Sequence, residues 1–423
     1  MSAEQTSPFY FLFGDRRDRR DRRQVDKAPN VDRRELSRRL VGVNFNVDPW
    51  LAGAAVLLLV LGFVMVSSAS IHVAYKQTNE LNPWFFSMRQ AVYIVLGFAA
   101  AMVVLRVRMA RWEYWGPYIM LGGLALLVLV LIPGIGREVN GATRWINLIF
   151  FNLQVSELVK LGVVIYVAGY LVRRGNEVRS SIRGFLKPML VVALIAGLLL
   201  AEPDFGATVV IGTTVLGMMF LGGVRLWQFG VSAALVAGVF ATLAITSPYR
   251  LARLTSFLDP WAEDVVRGSG YQLTQSLIAI GRGDVWGVGL GESVQKLQYL
   301  PEAHTDFLFA ILTEETGLVG ALVVIALFIT IVVRAFVIGL QAERVGAQFS
   351  AYIAFGLGLW IGVQAFFNIG VNLGALPTKG LTLPLMSYGG SSMVVTCIAI
   401  ALLLRVDMEV RHLSRQAERE KAK

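Results

Sequence analysis

The sequence predicts an all-α, polytopic membrane protein with ten transmembrane helices and a large extracytoplasmic loop between helices 7 and 8. Three observations lead there. Hydrophobic residues fill 55% of the 423 positions and charged residues only 16%, with a mean hydropathy of +0.60; a soluble domain cannot hide that much apolar surface. The apolar residues come in runs of the ~20 that a hydrocarbon core demands. Between these runs Arg and Lys collect in alternate short loops, the bias that places basic loops on the cytoplasmic side. The net charge of +10 therefore reads as topology and not as a nucleic-acid footprint.

Residues 1–48 carry eleven Arg/Lys and eight Asp/Glu, including RRDRRDRR at Arg16 to Arg23. Such alternation resists packing, so this stretch reads as a disordered basic cytoplasmic arm. It is either a solvated tail or a docking arm for a cytoplasmic partner or anionic lipid. A ten-helix membrane domain follows over 49–407, then a cytoplasmic tail over 408–423. The spans fall at 49–71, 88–105, 114–132, 153–172, 186–201, 205–222, 227–246, 307–333, 349–371 and 386–404. With the arm inside, Arg106, Arg108, Arg111, Arg173, Arg174, Arg179, Arg183, Lys187, Arg225, Arg334, Arg344, Arg405 and Arg411 all land on the cytoplasmic face. Both termini are then cytoplasmic.

The opposite face collects 72–87, 133–152, the turn at 202–206, the long periplasmic loop 247–306, and 372–385. In the long loop, SPYRLARLTSFLDPW and GYQLTQSLIAIG have helical apolar spacing, the second with a stripe of Leu273, Leu277, Ile278 and Ile280; both read as short interfacial helices. GRGDVWGVGLGE follows, as a flexible hinge or a weak phosphate-contacting loop.

Several chemistries are poorly served. The single cysteine, Cys397, lies in an apolar run, and His72, His304 and His412 are scattered without metal-binding spacing. No GxxxxGK[ST] segment offers a nucleotide cradle. What remains is a set of ionisable and polar residues at the membrane's outer edge.

Asp306 sits where the long loop meets the eighth span, beside Glu302 and His304. Two readings stand: a helix cap favoured by the dipole, or a partly desolvated carboxylate serving as general base. Glu157 and Lys160, spaced i,i+3 in the fourth span, form a structural ion pair or shape a polar cavity. Asp204 either caps the sixth helix or belongs to a site. The last outer loop, LGALPTKGLTLPLMSYGGSS, is broken by Pro377 and Pro384 and supplies Lys379, Ser387 and Tyr388 as donors. Non-helical backbone at membrane depth must be buried in protein or line a cavity. Arg144 in GATRWINL adds a cation suited to an anionic headgroup such as pyrophosphate.

GATRWINL, ELVKL, EPDFGAT, GYQLTQSLIAIGRG, LPEAHTDF and LPTKGLTLPLMSYGGSS, set on ten spans, resemble the SEDS family of bacterial glycosyltransferases (shape, elongation, division and sporulation). The resemblance covers about 45–410, and LPEAHTDF with LPTKGLTLPL is similar to the cell-division branch. It implies a peptidoglycan glycosyltransferase that polymerises lipid II into glycan strands at the septum. It implies Asp306 as the catalytic residue and Glu157 with Lys160 as the family's pair on the fourth helix. A divalent cation, Mg or Mn, is implied as a support to activity, with no nucleotide or organic cofactor. The implied partners are the class B penicillin-binding protein FtsI and the proteins FtsQ, FtsL and FtsB, in the bacterial inner membrane. One departure stands out: Gln154-Val155-Ser156-Glu157 replaces the family's Gln-Pro-Ser-Glu, removing a proline that presets a helix start.

Competing functions make different demands. A lipid II flippase or transporter of the division machinery has use for buried charges such as Glu157 and Lys160, but the polar features crowd one face and no internal repeat is evident. A membrane scaffold needs no ionisable group at Asp306. Glycosyl transfer accounts for the outer-face clustering best.

Overall fold

A computed structural model describes residues 47–78, 82–139, 142–147, 152–225, 257–268, 270–377 and 380–421, with isolated positions between 227 and 238. The chain is mostly helical. Its elements are α1 (Pro49–Gln77), α2 (Phe85–Arg106), α3 (Met109–Val130), β1 (Gly136–Val139), β2 (Ala142–Asn147), β3 (Asn152–Gln154), α4 (Val155–Ser180), α5 (Ile182–Ala201), α6 (Phe205–Leu221), α7 (Glu263–Val266), α8 (Tyr271–Gly283), α9 (Leu308–Arg344), α10 (Gln348–Asn372) and α11 (Gly390–Lys421).

Among the described residues, seven helices are long and apolar enough to cross a membrane: α1 to α5, α9 and α10. The shorter α6 is also apolar, and α11 underlies the last predicted span. Most of the span expected at 227–246 lies outside the described residues, as does the arm expected at 1–48 apart from Val47 and Asp48. The boundary expected at 407 falls inside α11, which continues to Lys421. Its extension is held by ion pairs: Arg405 to Glu409 at 2.7 Å and Arg411 to Asp407 at 2.8 Å, each one helical turn apart.

The helices sort into a centre and a periphery. In the most apolar stretch of α4, 83% of residues are buried, against 17% for α2; α4 is therefore the hub, and α2 turns most of its surface to lipid. α4 packs on α3, α5, α6 and α10, while α9 packs on α10 and α1. Small residues allow the close approaches: a Cβ on Gly356 of α10 would meet Val164 of α4 at 2.7 Å.

The all-α expectation needs one correction. The segment expected as a plain loop at 133–152 contains a three-stranded antiparallel sheet in the order β1-β2-β3, with Arg137 opposite Trp145 and Trp145 opposite Gln154. Strands of three to six residues owe their existence to their neighbours, so no run in the sequence announced them. The sheet leads directly into α4, whose N-cap is Gln154. The missing proline is replaced by a tertiary contact, for the Gln154 amide donates to Ser391 Oγ at 2.9 Å.

α8 lies on α9 and α10. Its buried stripe is Leu273, Thr274, Ser276, Ala279 and Gly283, with Ile278 exposed. The expected stripe was thus rotated, because two of the buried positions are hydroxyls: Ser276 donates to the Asn372 carbonyl at 2.8 Å and Thr274 to the Pro260 carbonyl at 2.9 Å.

Candidate active site

Asp306 belongs to a tight turn. The amides of Thr305 and Phe307 both donate to the Glu302 carbonyl, each at 3.2 Å. Glu302 takes a φ of 56°, in the left-handed region, and its exposed carboxylate accepts from the Thr305 hydroxyl at 2.7 Å. The N-cap position of α9 is Phe307, not Asp306, and Phe307 makes no side-chain capping bond. The Asp306 carboxylate is half-buried and lies against Gly380, where an added Cβ would sit 2.8 Å from Oδ2. Glycine at 380 is what lets the last loop come this close.

Three amides on α10 hold the turn. Gln364, Asn368 and Asn372 recur every fourth residue, hence on one helical face, and all are buried. Asn368 Nδ2 donates to the Asp306 carbonyl at 2.8 Å and the Leu381 carbonyl at 2.5 Å. Asn372 Nδ2 donates to the Asp306 carbonyl at 3.0 Å, while its Oδ1 accepts from the Ala310 amide at 3.1 Å. Gln364 Nε2 donates to the Thr382 carbonyl at 2.9 Å. The ladder pins the Asp306 backbone and residues 381–382 to one rigid helix. It was readable as Gln-x₃-Asn-x₃-Asn within an apolar span, a costly pattern unless each amide has partners.

The ladder reaches the buried ion pair. Lys160 Nζ lies 2.9 Å from Glu157 Oε1 and donates to Gln364 Oε1 at 2.7 Å. Trp360 Nε1 donates to the same oxygen at 2.9 Å, and the Lys160 ammonium stands 5.4 Å from the Trp360 ring. The pair is a buried ion pair, tied through Gln364 to the Thr382 carbonyl of the last loop.

On the other flank, Arg144 projects from β2 to the turn between α5 and α6. Its Nε donates to the Glu202 carbonyl at 3.1 Å, a second nitrogen donates to the Pro203 carbonyl, and Nη1 approaches Asp204 Oδ1 at 4.0 Å. Asp204 does cap α6, accepting from the Ala207 amide at 3.2 Å. Glu202 is fully buried, and neither carboxylate oxygen has a hydrogen-bond partner among the described residues. Burial, with the Asp204 charge beside it, pushes the Glu202 carboxyl up to about 8 against the pull of Arg144. This turn also meets the last loop, since a Cβ on Gly206 would sit 3.1 Å from the Gly380 carbonyl.

His304 and Tyr388 complete the cluster. The Tyr388 amide donates to the His304 carbonyl at 3.0 Å, and the His304 ring packs on Phe86 at 4.6 Å and Tyr388 at 5.6 Å between centroids. Burial lowers the His304 imidazole below its usual range, with Glu302 acting weakly the other way. Burial likewise raises the Tyr388 hydroxyl, keeping it protonated. Ser387 turns inward, its Oγ accepting from the Leu383 amide at 2.9 Å. Lys379 lies outside the described residues. Segment 380–391 is thus the meeting point of Asp306, the amide ladder, the Arg144 turn and β3.

The family described as the FtsW/RodA/SpoVE cell cycle proteins matches residues 49–412. The chain belongs to this family. Among FtsW relatives, each named a probable peptidoglycan glycosyltransferase, the protein of Nitrosococcus halophilus is 59% identical over 86% of this chain and 93% of its own length. That of Legionella pneumophila is 54% identical over 86% and 91%, and that of Coxiella burnetii 52% over 88% and 98%. Solved structures of the FtsW/RodA/SpoVE type agree. A chain from a study of how a peptidoglycan synthase complex coordinates polymerization and crosslinking superimposes with a TM-score of 0.70 at 27% identity, covering 86% of this chain and 98% of that one. The rod shape determining protein RodA of Thermus thermophilus gives 0.63 at 27% identity, covering 86% and 97%.

Two expectations for the family member meet the geometry differently. Among the described residues no group of three or more His, Cys, Asp or Glu side chains converges as a metal site, and Arg144 stands against the Glu202 and Asp204 pair. The glycine-rich loop 284–292 is neither a free hinge nor an open phosphate cradle. The Val288 amide donates to the Glu314 carbonyl at 3.0 Å and the Gly289 amide to the Glu315 carbonyl at 3.1 Å.

Buried Glu314 and Glu315 on α9 escaped the sequence reading. Glu314 accepts from Arg282 at 2.9 Å and Glu315 from Lys296 at 2.8 Å. Two adjacent carboxylates in an apolar run were a usable signal.

Proposed function

We propose that this chain is a peptidoglycan glycosyltransferase that polymerises lipid II during septal wall synthesis, with Asp306 as its general base. The observation that carries this reading is the Asp306 turn: a half-buried carboxylate beside Gly380, whose backbone is fixed by two neutral amides. Neutral donors hold the residue without adding a charge that would oppose its protonation. In the reaction the 4-hydroxyl of one lipid-linked sugar attacks the anomeric carbon of the growing strand. The new C–O bond forms as the bond to the lipid pyrophosphate breaks, and the hydroxyl proton passes to Asp306. Such general-base help is worth ~10²- to 10⁴-fold, and positioning two membrane-anchored substrates supplies a further large factor.

Arg144 spends two donors on the turn carbonyls. Its role in this reading is first to position the turn at 202–206, and then to offer its exposed edge to pyrophosphate. Lys379, adjacent in sequence to Gly380, is the second cation assigned to the leaving group. A divalent cation, Mg or Mn, would support the reaction by neutralising charge on the departing pyrophosphate. Ten spans, cytoplasmic termini, a septal location, and FtsI with FtsQ, FtsL and FtsB as partners belong to the same proposal. The superposition on a synthase-complex chain supports a transpeptidase partner.

The test is polymerisation of purified lipid II by the protein co-purified with its transpeptidase. Wild type should produce glycan strands and Asp306→Asn none at equal folding. Strands from the Asp306→Asn variant would move the base elsewhere, and lipid II translocation across vesicles without polymer would favour the flippase.

A further inference from the structure

α1 and α9 pack side by side and are joined by two polar rungs. At one end Asp48 pairs with Arg334. At the other, Lys296 Nζ donates to Ser68 Oγ of α1 at 2.9 Å and Glu315 Oε1 of α9 at 2.8 Å, and Ser68 donates to Glu315 at 2.6 Å. Asp48 to Ser68 is a step of 20 residues and Glu315 to Arg334 one of 19 (68 minus 48, and 334 minus 315), with no charged residue between on either helix. At ~1.5 Å per residue the Asp48 to Ser68 step along α1 spans about 30 Å, the thickness of a hydrocarbon core, and α9 runs beside it from the kink at Gly317. The rungs therefore mark its two faces.

The loop at 284–291 lies along the rung on the Asp306 side. Leu318 and Val319 amides donate to the Asp284 and Val285 carbonyls at 2.9 and 3.3 Å, and Lys296 Nζ donates to the Gly291 carbonyl at 2.6 Å. The approach depends on two glycines of positive φ, Gly287 (80°) and Gly317 (70°); a Cβ on Gly287 would come within 2.7 Å of the Gly317 nitrogen. Yet the side chains this loop presents are apolar and open, with Trp286 80% and Leu290 65% exposed and Val285 also exposed. They continue the exposed apolar face of α9 at Leu318, Val319 and Leu322.

We propose that Val285, Trp286 and Leu290 insert into the phospholipid leaflet on the Asp306 side and anchor the loop that leads into the Asp306 turn. The proposal rests on α1 and α9 crossing the membrane. Phospholipid is the occupant because the patch is continuous with a lipid-facing helix surface and sits at its boundary, the depth that tryptophan favours. The segment reaches Asp306 through only fifteen residues (306 minus 291), so the anchor fixes the height of the catalytic turn above the lipid.

Spin labels test this in the full chain reconstituted in phosphatidylethanolamine and phosphatidylglycerol vesicles. Cys397 is buried, so the unsubstituted protein gives the labelling background. Labels at Trp286→Cys and Leu290→Cys should relax more with oxygen than with a water-soluble nickel chelate, matching Leu322→Cys and opposing Gln298→Cys, an exposed position bonded to Lys76. Should Trp286→Cys fold poorly, Leu290→Cys carries the test alone. Nickel access equal to that at Gln298 would overturn the proposal. Shielding from both reagents would also overturn it, by showing that protein, a second copy included, covers the patch.

Discussion

The Asp306 turn and the basic end of the bundle are held by different chemistry. At the basic end, charges meet charges: Asp48 caps α1 through the Leu51 amide at 2.9 Å and pairs with Arg334 and, at 3.3 Å, Arg411. At the Asp306 turn, neutral amides meet backbone carbonyls, and the buried Glu157 and Lys160 pair reaches the last loop through Gln364. The carboxylate proposed as the base is anchored through its backbone, by neutral donors that add no charge of their own.

Breaking the contrast at Asp306 should have the largest effect. Asp306→Asn is expected to lower lipid II polymerisation by ~10²- to 10⁴-fold while leaving the thermal midpoint near that of wild type. At the basic end the reverse is expected. Asp48→Ala strips Arg334 of its carboxylate and leaves Arg411 with Asp407, and should cost about 3–5 kcal/mol of stability, read as a lower thermal midpoint, with the rate per folded molecule unchanged. Burial alone would raise the Asp48 carboxyl, but Arg334, the Leu51 amide and Arg411 hold it below its ordinary 3.8. Its contribution is therefore present above that value and fades as pH falls through the folded-state value.

The ladder sharpens the contrast. Asn368→Leu leaves the Leu381 carbonyl without that donor and the Asp306 carbonyl with only Asn372, a loss of about 1–3 kcal/mol. Turnover should fall more than substrate affinity, because the displaced group is the one proposed to act in the transition state. Equal rates for Asn368→Leu and wild type would mean that the ladder is only structural.

A pH-dependent effect concerns Glu202. Its folded value of about 8 exceeds the ordinary 4.5, so the folded chain binds the extra proton. The associated stability is full below about 4.5 and is lost as pH rises to about 8. Wild type should lose thermal stability across that window, and Glu202→Gln should lose less. Parallel curves would show that Glu202 does not titrate there.

His304 shows how far a motif can be taken without coordinates. Its place in LPEAHTDF marked it for the site, but a motif does not say what the ring packs on. The structure packs it between Phe86 and Tyr388, neutral and 8% exposed, so it supports the turn. Arg144 was legible as an outer-face cation, whereas its grip on two carbonyls 58 and 59 residues away was not.

The sequence by itself determined the membrane class, the helical spans it shares with the described structure, and Asp306 with its neighbours, because hydropathy, charge bias and costly polar residues are local properties of the chain. Tertiary structure alone decided the sheet before α4, the ladder's partners, the Glu314 and Glu315 anchors, and the convergence of 380–391 on Asp306. Those features are contacts between residues far apart in sequence, and their free energy exists only once the helices have packed.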